Sequence, residues 1–118
     1  MHELSRAPAS YASGQSRRKG LLVALFVIER NFAERLALDA NAIEAINAYN
    51  ASEELRWFFS FLSADKKKTY CLYEAADRGA LLKQAEDLGI PADAIVEVSE
   101  VNPQMFTTGA SVSGHNGV

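Results

Sequence analysis

The chain has 118 residues, of which 48% are apolar and 23% are charged, and its formal net charge is −3. This length fits one domain, and the composition is ordinary for a globular protein. Residues 1–19 hold one acidic and four basic residues, which leaves −6 on the rest of the chain. An acidic folded part argues against a nucleic-acid-binding protein, because such proteins need basic surfaces to bind phosphates.

The cysteine content and the hydrophobic runs bear on the cellular setting. Cys71 is the only cysteine, so no internal disulfide can form, and we expect a cytoplasmic protein. The apolar run from Leu21 to Ile28 is too short to span a bilayer, and the charged residues Glu29 and Arg30 close it. We therefore expect neither a membrane nor a nucleic acid as a partner.

The two ends of the chain differ from its middle. Residues 1–19 and 107–118 consist mostly of small and polar residues with little hydrophobic pattern. We expect a flexible N-terminal arm over 1–19, a folded domain over 20–106 and a flexible C-terminal tail over 107–118.

Within the domain, the pattern predicts the order strand, helix, strand, strand, helix, strand. The strands are predicted at about 21–30, 55–63, 69–75 and 94–101. Asn41 is the predicted N-cap of the first helix. The second helix is predicted to start after Asp77 and to end at Gly89, because glycine suits the left-handed C′ position and Pro91 prevents continuation.

This order predicts an α+β fold of the ferredoxin-like kind, a βαββαβ sandwich with four antiparallel strands and both helices on one face of the sheet. The run LLVALFVI from Leu21 to Ile28 is apolar on both faces of its strand, and WFFSFL from Trp57 to Leu62 is nearly so. The sequence leaves open which face meets the helices.

Either choice leaves an apolar sheet face, and monomers rarely expose so large a patch. We expect a homodimer through this open sheet face, as in a dimeric α+β barrel. The alternative is that the arm and the tail cover it.

Three segments carry a family resemblance: VIERNF (27–32), FLSADKKKTYCLYEA (61–75) and LGIPADAIVEVSEVNP (88–103). They resemble a bacterial family of small ferredoxin-like proteins, mostly described as a domain of unknown function and in part as nickel-binding proteins. The resemblance covers residues 22–106 and implies a dimer and a divalent metal, such as nickel, as cofactor. It implies no reaction. Nickel favours imidazole ligands, and the only histidines, His2 and His115, lie in the predicted arm and tail.

Five residues are candidates for a ligand site, and Glu29 and Cys71 among them for a metal. Glu29 can place a carboxylate at the rim of a cavity between two sheets, or it is an ordinary surface charge. Cys71 and Tyr73 share one strand face, as a wall for a ligand or as core residues. Glu74 lies on the opposite face and needs a partner if it is buried. Trp57 lines a cavity or packs in a core.

These observations predict a small dimeric ligand-binding module rather than an enzyme, with a divalent metal such as nickel as the first candidate ligand. The alternative is a cofactor-free enzyme of the dimeric α+β barrel kind, acting on a small hydrophobic compound; it rests on analogy of fold. A third possibility is a pure interaction domain.

Overall fold

The computed structural model describes residues 15–18 and 20–106. It contains two helices, α1 and α2, and the five strands β1 to β5. In chain order they are β1 Gln15–Arg18, β2 Leu21–Asn31, α1 Ala40–Ser52, β3 Arg56–Leu62, β4 Lys68–Ala75, α2 Arg78–Leu88 and β5 Ala94–Val98, followed by a 3-10 turn at Pro103–Phe106. Neither helix is long and apolar enough to cross a membrane.

In the described chain the strands form one antiparallel sheet with β2 at its centre. Val27 of β2 lies opposite Leu72 of β4 and also opposite Val96 of β5, and β3 pairs with the far side of β4. The strand order β5-β2-β4-β3 is the one expected for a ferredoxin-like sandwich. The predicted α+β class, with two helices and an antiparallel sheet, is confirmed.

The helices start where aspartate side chains cap them. Asp39 Oδ1 accepts the backbone N–H of Ala42 at 2.8 Å, so the predicted cap at Asn41 is wrong. Asp77 Oδ1 accepts the N–H of Ala80 at 2.9 Å, as predicted for α2. That helix ends at Gly89, whose φ of 68° is left-handed.

One strand lies within the segment predicted to be a flexible arm. β1 pairs with the start of β2 through a tight turn, in which Gly20 has a φ of +80°. A glycine adopts this conformation without steric cost. The rest of the predicted arm, 1–14, and the predicted tail, 107–118, lie outside the described residues.

The structure shows which residues of β2 lie on each face of the sheet. The helix face carries Ala24, Phe26 and Ile28 of β2, which pack in one buried cluster with Leu81 of α2. The opposite face, called the open face below, carries Val23, Leu25 and Val27 of β2. The even-numbered residues of β2 are therefore the ones that meet the helices.

Strand β3 does not alternate as its sequence suggests. Trp57 lies opposite Tyr73 on the helix face, while Phe59 lies opposite Leu72 on the open face. A β-bulge between them adds one residue, so Phe58 and Phe59 both belong to the open face. Strict alternation would place Trp57 and Phe59 on the same face, and the bulge places them on opposite faces instead.

A buried polar network joins the sheet to both helices. Gln84 of α2 is fully buried, and its Nε2 donates to Tyr73 Oη at 2.9 Å and to Asn50 Oδ1 at 2.8 Å. Arg30 Nη2 donates to Gln84 Oε1 at 2.9 Å, and its Nη1 donates to the Pro91 carbonyl at 2.7 Å. Satisfied networks of this kind fix a unique packing, because any displacement leaves a buried polar group unpaired.

Replacing Gln84 by leucine keeps the side-chain volume and removes both the amide donor and the amide acceptor that Gln84 contributes to this network. Asn50, Tyr73 and Arg30 each lose a buried partner, and we expect the free energy of unfolding to fall by about 3 kcal/mol. Urea denaturation measures the change. Glu86→Ala, at an exposed position of the same helix, is the control, with an expected change below about 0.5 kcal/mol. Equal losses in the two variants would contradict the structural role of the network.

Candidate functional site

The five candidate residues divide between the two faces of the sheet. Trp57, Cys71 and Tyr73 lie on the helix face, while Glu29 and Glu74 lie on the open face. They therefore do not converge on one site within a single copy of the chain.

The helix-face aromatic residues pack against each other in the core. The rings of Trp57 and Tyr73 stack with centroids 6.2 Å apart, and Trp57 Nε1 donates to Ser60 Oγ at 2.9 Å. Burial raises the pKa of the Tyr73 hydroxyl. Stacking and hydrogen bonding satisfy both side chains without a ligand.

Cys71 is buried and lies opposite Ile28 of β2. Its thiol donates to Thr69 Oγ1 at 3.6 Å. Neighbouring residues of a strand point to opposite faces, so Glu29, next to Ile28, lies on the other side of the sheet. The two candidate metal ligands, Glu29 and Cys71, are thus separated by the sheet itself.

Glu29 lies near one end of the open face, where it forms an ion pair. Its Oε2 lies 2.9 Å from Lys68 Nζ, and both side chains are about one-third exposed. Lys68 Nζ also lies 5.6 Å from the centre of the Tyr70 ring. This arrangement forms a charged rim beside the apolar part of the sheet.

Glu74 lies towards the other end of the open face and is only 2% exposed. It forms an ion pair with Arg18 of β1 and lies opposite Arg56 of β3. Arg18 Nη2 also donates to the Glu54 carbonyl at 2.8 Å. A buried carboxylate needs a positive partner, and Arg18 supplies one from a strand that the sequence did not predict.

The open face between these charges has two parts that differ in exposure. One part is buried within the chain, and we call Val23, Leu25 and Phe58 the covered patch. The other part is an apolar surface that crosses four strands, and we call it the outer patch: Val27, Phe59, Phe61, Tyr70, Leu72 and Val96. Phe61 is 65% exposed and Val96 is 54% exposed. The sequence predicted an apolar face but not its division.

A nickel site needs several donor side chains that lie close together. Residues 15–18 and 20–106 contain no group of three or more histidine, cysteine or acidic side chains arranged to hold a metal ion. His2 and His115 lie outside these ranges. The described donors of one copy therefore do not fit a nickel centre, since nickel would need several ligands and favours imidazole.

Comparison with known proteins identifies the family. The model of a family described as nickel responsive protein SCO4226-like matches residues 26–98. The chain belongs to this family. The crystal structure of SCO4226 from Streptomyces coelicolor A3(2) is similar, with a TM-score of 0.58 and 23% sequence identity. The match covers 67% of this chain and 100% of the SCO4226 chain, and it supports the fold. No curated protein matches the chain.

The family match confirms the resemblance that the sequence segments indicated. It also leaves β1 and the first five residues of β2, Leu21 to Leu25, outside the matched range. Arg18 and two of the three residues of the covered patch, Val23 and Leu25, therefore lie outside the residues that the family model matches.

The ion pair at the rim predicts the titration of Lys68. Its hydrogen bond to Glu29 raises the pKa of the lysine, and in Glu29→Gln we expect this pKa to fall back towards the ordinary value of a lysine side chain. A raised folded-state pKa means that the pair stabilises the fold fully below the unfolded-state pKa of lysine. This contribution is lost as the pH rises through the folded-state pKa. An NMR titration of the Lys68 side chain measures the shift.

Glu34→Gln, at an exposed position in the loop after β2, is the matched control and should leave the Lys68 titration unchanged. An unchanged Lys68 pKa in Glu29→Gln would show that the ion pair does not persist in solution.

Proposed function

We propose that the chain is a small dimeric ligand-binding module in which two copies pair through their open sheet faces. The observation that carries the proposal is the outer patch. Its apolar side chains lie side by side on four strands, and Phe61 and Val96 are more than half exposed. Each such side chain contributes roughly 1.5–3 kcal/mol when it is fully buried.

A second copy of the chain is a suitable occupant of this surface. A two-fold contact joins the same patch on both copies, so one apolar surface buries the other. Two sheets pack face to face at a spacing of about 10 Å, and flat rows of aromatic and branched side chains suit this packing. The patch has Val27 and Leu72 near its middle, opposite each other on β2 and β4.

The rim of the patch supports the same arrangement. Glu29 and Lys68 carry opposite charges at its border. A two-fold contact presents this acidic and basic pair from both copies, so the two rims are complementary in charge. Such complementarity favours one register of association over others.

Substitution of Phe61 tests the dimer. We expect Phe61→Arg to convert a dimer into a monomer, because two-fold symmetry brings two added charges into one apolar interface. Phe61 is 65% exposed, so the fold of each copy should remain intact. Sedimentation velocity at micromolar concentrations measures the mass.

Leu82→Arg is the control, because Leu82 is 41% exposed on α2, on the helix side of the sheet. It should remain a dimer. A wild-type protein that sediments as one copy, or a dimer that survives Phe61→Arg, would contradict the proposal.

Nickel enters the proposal through the family description. Because the described donors of one copy do not form a metal centre, we propose that binding of a divalent cation such as nickel requires the assembled dimer. Glu29 is the carboxylate at the rim, and two copies would bring two of them to the same interface. Cys71 is not retained as a ligand, because it is buried on the helix face.

Titration calorimetry with nickel tests this part of the proposal. We expect saturable heat with the wild-type protein, and its loss in Glu29→Gln and in the monomeric Phe61→Arg. Glu34→Gln is again the control for a change of one negative charge. Absence of heat with the wild type would remove nickel as the ligand and would leave the dimer untouched.

The enzyme alternative gains no support from the described residues. Trp57, one of the aromatic residues considered for a ligand cavity, packs on Tyr73 in the core. The cytoplasmic setting stays part of the proposal, since the single cysteine excludes an internal disulfide.

A further inference from the structure

The open face is closed at one end and exposed at the other. In the covered patch, Val23 is 2% exposed and Leu25 is 1% exposed, although α1 and α2, the helices of the described residues, pack on the other side of the sheet. In the outer patch, Phe61 and Val96 remain exposed. This difference in exposure indicates that part of the chain covers Val23 and Leu25 but leaves Phe61 and Val96 accessible.

Arg18 of β1 and Glu74 of β4 hold distant positions in the ladders of the sheet. Arg18 pairs with Leu21 in the β1–β2 ladder, whereas Glu74 pairs with Leu25 in the β2–β4 ladder. Four residues of strand span roughly 13 Å, and β4 lies on the other edge of β2. In a flat sheet, the side chains of Arg18 and Glu74 could not meet across this separation.

The ion pair between them is nevertheless present, and Arg18 also donates to the Glu54 carbonyl just before β3. The β1–β2 hairpin must therefore bend over the open face, towards β4 and the start of β3. Glu54 has a positive φ of 60°, which marks a tight change of chain direction at this contact.

We infer that the β1–β2 hairpin, which lies outside the residues matched by the family model, is a cover for the open face, and that Arg18 latches it onto Glu74. The cover closes one end of the open face and confines self-association to the outer patch. This inference rests on the proposed pairing of two copies for its effect on association, while the latch itself rests on contacts within one copy.

The different burial of the two charged side chains suits an ion pair that is stable but can open. Glu74 is almost fully buried, so removal of the guanidinium leaves a carboxylate in a poorly solvated position. The side chain of Arg18 is about one-quarter exposed, so it remains in contact with water. Opening the hairpin would hydrate Glu74 and expose Val23 and Leu25 together.

Arg18→Ala tests the latch, with Arg17→Ala as the matched control. Arg17 is the same residue type in the same strand, and it is exposed. Hydrogen–deuterium exchange over residues 15–25 reports whether the hairpin is released, and sedimentation equilibrium reports the dissociation constant of the dimer. Glu74→Gln removes the other charge while keeping the volume and provides an independent variant.

We expect Arg18→Ala and Glu74→Gln to speed exchange in the hairpin and to tighten self-association by about tenfold, the effect of burying roughly one more apolar side chain at the interface. Arg17→Ala should change neither. Unchanged exchange in Arg18→Ala would overturn the latch. Faster exchange with unchanged or weaker association would overturn the cover, and weaker association would place the hairpin within the interface itself.

These outcomes are distinct from failure of the proposed function. If the wild type is monomeric and Arg18→Ala dimerises, the proposed dimer fails and the cover is supported. If both are monomeric, the proposed dimer and the effect of the cover on association are overturned, and hydrogen exchange alone decides the latch. A dimeric wild type whose association is unaffected by Arg18→Ala keeps the dimer and removes the cover.

Discussion

The central strand β2 carries apolar side chains on both of its faces, and the rest of the structure accommodates this constraint. Phe26 and Ile28 pack under the helices, while Leu25 and Val27 face the other way. The helices α1 and α2 cover one face of the sheet, so the apolar side chains of the second face need another cover to be buried. One end of it is closed within the chain, and the outer patch is the remainder.

The helix face is committed to the core rather than to chemistry. Tyr73 and Cys71 are buried there, and Tyr73 accepts hydrogen bonds from the amides of Asn50 and Gln84. The network extends to Arg30, so a charged residue at the end of β2 helps to hold α2 in place. A ligand site on this face would require these contacts to break. The open face differs, because Phe61 and Val96 of its outer patch are more than half exposed.

Local patterns were enough to predict the order of the elements, the cap of α2 at Asp77 and its end at Gly89. The shared face of Cys71 and Tyr73 followed from alternation. The bulge at Phe58 could not be read in this way, because three successive aromatic residues hide a change of register. The cap at Asp39 was missed since Asn41 offered a similar side chain.

The strand β1 lay beyond sequence reasoning for a different reason. Its four residues, QSRR, have no apolar alternation, and its anchor is an ion pair between Arg18 and Glu74, 56 positions apart in the chain. The requirement that a buried Glu74 must have a partner was predictable, but the identity of that partner was not. The network of Gln84 was missed likewise, because polar residues in helices usually face water.

The proposed contact between two outer patches is tested directly by isotope-filtered NOE spectroscopy on a mixture of methyl-labelled and unlabelled protein. We expect intermolecular NOEs at the methyl groups of Val27, Leu72 and Val96, and none at Leu82 on the helix side. Intermolecular NOEs confined to the helices, or none at all at concentrations where the sample is well folded, would contradict it.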